Sequence, residues 1–255
     1  MTSRPALILA VVALLVVGGG AAAWALFLRG DNVAPLTLPS AAPRASASGG
    51  TATGSPTPSS GASLTASSAA PVDAASLPGT WTIGADSVAG YRVRERLASL
   101  SADSDAVGRT NAITGTATIA SSGGGLSVTA ADFSVDMTTI TSDRQMRDNR
   151  LRRDGIETDA FPTSTFTLTT PIALPADASS GSQFSVTLHG DLTLHGVTKT
   201  VDIPATAQLN GGVIQILGSL TFPFSDYAIN PPNVAGFVTV EDNGTLEFQV
   251  NLTKG

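Results

Sequence analysis

Gln183 to Leu194 reads QFSVTLHGDLTL and alternates with a period of two. Phe184, Val186, Leu188, Leu192 and Leu194 fall on one side of an extended chain. Ser185, Thr187, His189, Asp191 and Thr193 fall on the other. Successive side chains of a strand point to opposite faces, so the stretch is a strand with one dry and one wet face. The rhythm recurs on either side of it. Ile113, Gly115, Ala117 and Ile119 alternate with Thr114, Thr116 and Thr118, and Phe166 and Leu168 with Thr165, Thr167 and Thr169. Leu246, Phe248, Val250 and Leu252 continue the series near the end of the chain. In LSVTAADFSVDM the phase moves from Leu126 and Val128 to Phe133, Val135 and Met137, which predicts a bulge at Ala130–Ala131.

Turn signals separate the strands. Gly123–Gly125, His195–Gly196 and Asn210–Gly212 punctuate three pairs, and Asn243–Gly244 predicts a hairpin between FVTV and LEFQV. Eight or nine strands are expected between Trp81 and Leu252. A sheet of that length with one apolar face must curl or close to hide its edges. The predicted fold is all-β and antiparallel, curled or closed into a barrel. Such an interior is either filled by side chains or holds one small ligand, and the alternation does not separate the two.

Composition narrows the chemistry. The 255 residues contain no Cys and two His. Disulfides, thiolate metal sites, a Cys nucleophile and a His-rich metal site are thereby excluded. The net charge is −6, and from Leu77 onward eleven Lys and Arg face eighteen Asp and Glu. An acidic surface of this kind repels nucleic acid, so no nucleic-acid partner is expected. No cofactor is expected either.

The first 76 residues differ from the rest. Ala6 to Leu28 is a run of 23 residues without a charge. At about 1.5 Å per residue it is long enough to cross a bilayer core of roughly 30 Å. Residues 1–30 are therefore expected to be a transmembrane anchor, with the remainder extracytoplasmic. The rival reading is a signal peptide, with Leu7–Val17 as its apolar region and AAAWA as its cleavage site. Residues 31–76 are rich in Ala, Ser, Thr, Pro and Gly and are expected to form a disordered tether, since they carry too little apolar surface to offset chain entropy. The folded domain is expected over 77–255.

Five of the fourteen Lys and Arg lie in DRQMRDNRLRRDG, Asp143 to Gly155. Ser142-x-x-Gln145 predicts a capping box and Gly155 a helix end, with a helix of about three turns between. Arg150, Arg152 and Arg153 fall in its last turn, where cations meet the negative end of the helix dipole. Met146 and Leu151 are its only apolar residues and lie roughly 140° apart. With so little apolar stripe, the helix is expected to be a polar lid across a barrel mouth.

Four segments, in order, resemble the YceI-like family of exported bacterial lipocalin-like proteins that bind polyisoprenoids or related lipids. They are Trp81-x-Ile83 with the first long strand, RDNRL followed by FPTSTF, GDLTLHGVTKTVDIP, and FPFSDYAINPP. The resemblance spans about Trp81 to Leu252. It implies an extended eight-stranded lipocalin-like barrel that holds a polyisoprenoid or similar amphiphilic lipid in its apolar interior. The wall candidates are Tyr91, Val93, Phe133, Val135, Phe166, Leu168, Phe184, Val186, Leu188, Phe222 and Phe248. Arg144, Arg147 and Arg150 are placed at the mouth, near a headgroup. Their alternative role is an Arg–carboxylate clasp that fixes the helix. The chain departs from the family in DSVAGYRVRERL, which holds Asp86, Glu95 and Arg96 where the family often has His.

Catalytic readings find little support. His189 and His195, read as six residues apart on one strand, would sit about 20 Å apart on the wet face, too far to share a metal. Ser225–Asp226 has no His nearby in sequence, and no phosphate-binding glycine loop precedes a helix. The chain is therefore expected to be a binding protein, with a non-catalytic envelope interaction domain around a filled barrel as the alternative. Nothing in the sequence decides between a monomer and a homodimer.

Overall fold

The computed structural model describes residues 33–38, 72–97, 103–231 and 238–255. The apolar run at 6–28 and most of the expected tether lie outside them. Among the described residues no helix is long and apolar enough to cross a membrane.

Among the described residues, thirteen strand segments form one sheet. They are β1 (Gly79–Ile83), β2 (Val88–Leu97), β3 (Asp103–Thr110), β4 (Ile113–Ser122), β5 (Gly125–Asp136), β6 (Thr141–Ser142), β7 (Thr163–Leu168), β8 (Ile172–Ala173), β9 (Phe184–Leu194), β10 (Val197–Asn210), β11 (Val213–Pro223), β12 (Val238–Val240) and β13 (Asn243–Lys254). Eight of them close a barrel in the order β1-β4-β5-β7-β9-β10-β11-β13, with β13 pairing back to β1. All pairings are antiparallel, as the alternation predicts.

The higher strand count has a local cause. β1 and β2 both run along β13, one against Leu252–Lys254 and the other against Thr245–Gln249. Between them the chain turns aside at Gly84–Ser87, with Asp86 at φ 61°. Asn251 closes the break, its N–H donating to Ser87 Oγ at 3.0 Å and its amide to the Ala85 carbonyl at 2.9 Å. One long strand is thus divided in two, and β3 and β4 are divided in step with it.

The bulge on β5 sits slightly earlier than predicted. Thr118 pairs with Ala130 and Ile119 with Val128, which leaves Thr129 as the extra residue. The turns at Gly123–Gly124, His195–Gly196 and Gly211–Gly212 all have positive φ at both positions, as tight hairpins require. The expected hairpin at Asn243–Gly244 is absent. Both residues belong to β13 and pair with Pro223 and Phe222, while β12 pairs with β2. Gly244 is selected by packing, because a Cβ there would lie 2.8 Å from the Phe224 ring.

The single α-helix among the described residues, α1, spans Gln145–Asp154. Its N-cap is Arg144, and the predicted capping box does not form. Ser142 serves the turn differently, donating to Asp148 Oδ1 at 2.6 Å and accepting from the Arg144 N–H at 3.2 Å. Gly155 ends the helix at φ −112° without a left-handed cap.

The folded unit also takes in parts of the expected tether. Residues 72–77 seal one end of the barrel: Trp81 Nε1 donates to the Leu77 carbonyl at 2.9 Å, and Val72 packs on the same cluster. Residues 33–38 lie against the outer wall. Arg92 donates to the Val33 carbonyl at 3.0 Å and Arg109 to the Ala34 carbonyl at 2.7 Å. Both arginines also grip the buried Glu247 of β13, which explains a carboxylate held on a mid-barrel wall.

Candidate functional site

The interior is hollow. Its inward residues are those that the period-two pattern assigns to the dry face, and they enclose two neighbouring lobes. The lower lobe, at the Trp81 end, has a volume of about 160 Å³. The upper lobe, beneath α1, has about 130 Å³. Ala89, Val135, Ser164 and Leu246 border both.

Every predicted wall residue faces one of these lobes. Phe133, Phe166, Leu168, Phe184, Val186, Leu188 and Phe248 line the lower one. Tyr91, Val93 and Phe222 line the upper one, and Val135 borders both. The space exists because interior aromatics lie over interior glycines. Phe133 faces Gly115, Phe248 faces Gly218 and Tyr91 faces Gly108 across the ladder. Phe166 covers Gly190 from a diagonal position, and a Cβ on Gly190 would come within 2.5 Å of its ring. Rings laid flat along the wall leave the axis of the barrel open.

The lobes differ in chemistry. No charged residue lines the lower lobe among the described residues. The upper lobe carries Glu95 and Arg147 in its wall. Arg147 reaches in from α1 and donates to Glu95 Oε1 at 2.8 Å, while its other terminal nitrogen pairs with Asp143. Burial disfavours the charge on Arg147, but Glu95 and Asp143 outweigh it and hold the guanidinium above its ordinary pKa. Beside them the Tyr91 hydroxyl is buried with no hydrogen-bond partner among the described residues. Burial, with a lesser contribution from the nearby carboxylates and opposed by Arg147, raises its pKa and keeps it a neutral donor. An unpaired buried hydroxyl costs about 1–3 kcal/mol, which a ligand oxygen would recover.

The basic residues predicted at the mouth separate into different roles. Arg147 alone lines a lobe. Arg144 lies 3.5 Å from Asp143, and Arg150 is exposed. α1 itself is polar as expected, with Met146 at 83 % exposure and Asp148 its one buried residue. Leu151 and Gly155 complete the wall of the upper lobe.

His195 is not on the wet face. It occupies the β9–β10 turn at φ 51° and is buried. Its Nδ1 donates to the Tyr227 carbonyl at 2.9 Å, and its ring lies 4.3 Å from that of Phe161. His189 does lie on the wet face, 2.6 Å from Asp202. Lys199 joins Asp226 at 2.6 Å. The segments RDNRL, FPTSTF, GDLTLHG and FPFSDY thus converge on the upper end of the barrel. Among the described residues no group of His, Asp and Glu could hold a metal.

Sequence reasoning missed Glu95 as a lobe residue. It follows Tyr91 and Val93 on the same face of β2, so the period-two signal was present, but a carboxylate is not expected inside a barrel without a partner from elsewhere in the chain.

Residues 81–252 match the YceI-like domain. The chain belongs to the YceI-like family. Its fold is shared with a polyisoprenoid binding domain from Saccharophagus degradans implicated in plant cell wall breakdown, with a TM-score of 0.55 at 19% identity over 70% of this chain and 99% of that one. Burkholderia cenocepacia BcnA is similar at 18% identity and a TM-score of 0.45, over 64% of this chain and 95% of that one. Clumping factor A of Staphylococcus aureus strain Mu50 is 30% identical over 141 residues, or 51% of this chain, and this chain spans only 15% of that protein's length.

Proposed function

We propose that the protein binds a polyisoprenoid or similar amphiphilic lipid inside the barrel, on the outer side of a membrane, to sequester or carry it. The observation that carries this reading is the void itself. Protein interiors pack as densely as organic crystals, and voids larger than a water molecule are few. Two adjoining lobes walled by aliphatic and aromatic side chains are a dry space shaped for hydrocarbon. They also weigh against a barrel filled by its own side chains.

Magnitudes set what such a space accepts. A dry protein cavity of roughly 150 Å³ takes one benzene ring, so the two lobes together hold on the order of a dozen carbons. Each buried CH₂ contributes roughly 0.8 kcal/mol, so hydrophobic burial alone supplies on the order of 10 kcal/mol before the cost of immobilising the ligand. The family and the polyisoprenoid binding domain of Saccharophagus degradans support a polyisoprenoid over other hydrocarbons. The uncharged run at 6–28 supports anchorage to a membrane. Binding, and not catalysis, is what two largely apolar lobes favour when the charged residues in their wall, Glu95 and Arg147, are paired with each other.

Native mass spectrometry of the full chain, released from membranes without added lipid, tests the reading. A co-purifying amphiphile with a long hydrocarbon tail is the expected result. A barrel recovered at its bare mass, and unable to take up added prenol, would overturn it.

A further inference from the structure

We propose that the upper lobe is a headgroup site selective for an uncharged, oxygen-bearing head, with the Tyr91 hydroxyl as the hydrogen-bond donor to that oxygen. The inference rests on the lipid-binding reading and assigns the polar end of the ligand within it.

Three observations converge. Tyr91 lines the upper lobe with Val93, Phe222 and Leu246, and its hydroxyl is buried without a hydrogen-bond partner among the described residues. A buried polar group is normally paired, so its missing partner is the place for a ligand atom. The ring cannot swing toward β3 to find another, because it already lies against Gly108, where even a Cβ would come within 2.3 Å of it.

The second observation concerns charge. Arg147 is the one cation in the wall of the lobe, and it is occupied by Glu95 at 2.8 Å and by Asp143. Two carboxylates against one guanidinium leave this corner negative. A phosphate would have to displace Glu95 from Arg147 and then sit beside it, so like-charge repulsion disfavours it. An alcohol or carbonyl oxygen meets no such opposition and can accept from Tyr91. The third observation is polarity along the barrel axis. The lower lobe has no charged residue in its wall, so the tail belongs there and the head above.

Competition against radiolabelled farnesol, with the full chain held in lipid nanodiscs, tests the assignment. The competitors are farnesol, farnesyl phosphate and the hydrocarbon farnesane. The expected order places farnesol about tenfold ahead of both others. Tyr91→Phe should remove that tenfold advantage over farnesane while leaving farnesane itself unchanged. Glu95→Gln, which removes one of the two carboxylates on Arg147, should improve farnesyl phosphate about tenfold relative to farnesol. Wild-type preference for the phosphate, or equal loss of all three ligands in Tyr91→Phe, would overturn the head assignment and leave lipid binding standing. Failure of all three to bind would overturn both.

Discussion

His195 Nε2 lies 2.8 Å from Glu157 Oε2, which joins the β9–β10 turn to the loop that follows α1. Both residues are non-glycine residues with left-handed backbones, at φ 51° and 50°. With the Nδ1 bond to Tyr227, the imidazole ties three separate segments together at the upper end of the barrel. Replacing His195 with Ala should cost about 1–3 kcal/mol, the penalty for unmaking buried hydrogen bonds. Chemical denaturation measures it, and faster amide exchange at Tyr227–Ile229 should accompany the loss.

Gly190→Ala places a methyl group 2.5 Å from the Phe166 ring and 2.4 Å from the Thr167 carbonyl. The ring has one direction in which to move, toward the lower lobe. Overpacking of this kind costs about 1–3 kcal/mol. A smaller lobe should also shorten the longest alkyl tail the protein retains, as a series of n-alkanols in a displacement assay would show.

That series should have a distinct form in the wild-type protein. Affinity should rise with each added methylene until the lobes are full, on the order of a dozen carbons, and then level off. A rise that continues unchanged to twenty carbons would mean that the barrel widens or that the tail leaves through its end.

Arg147→Gln strips Glu95 of its partner inside the barrel, where the two side chains are only 16% and 12% exposed. Breaking a buried pair on one side should cost on the order of 3 kcal/mol. Arg144→Gln and Arg150→Gln affect an outer pair and an exposed cation, and each should change stability by less than about 1 kcal/mol. Thermal melts of the three variants separate the clasp from the surface charge.

Both tyrosines of the chain have raised pKa values: Tyr91 through burial and then the carboxylates around it, Tyr227 through burial and then Asp226. The unfolded phenols titrate near 10. Above that pH the native state binds more protons than the unfolded state, so stability falls as pH rises. Absorbance at 295 nm should rise at a higher pH in the native protein than in the unfolded chain, and its rise should accompany loss of the native circular dichroism spectrum.

The barrel was legible because alternation is a local signal. Phe184 to Leu194 reports its inward face residue by residue, and the opposing strands report theirs. What stayed hidden depends on contacts distant in sequence. Asn251 closes a break in a strand more than 160 residues earlier, and nothing near Gly84 announces it. Asn243–Gly244 has the composition of a hairpin, yet its glycine makes room for Phe224. His195 reads as a strand residue on the wet face because its partners, Glu157 and Tyr227, lie more than thirty residues away on either side. For Arg147 a carboxylate clasp was legible in the sequence, but its partner Glu95, 52 residues earlier, was not.

The segment at 33–38 and the segment beginning at Val72 are both fixed to the same barrel, one by Arg92 and Arg109 and the other by the bond from the Val72 N–H to the Ser179 carbonyl. Two pieces of chain that lie far apart in sequence and precede the first barrel strand are therefore held on one body. The earlier piece depends on the two guanidinium contacts, so the loss of either arginine removes a bond between 33–38 and the outer wall.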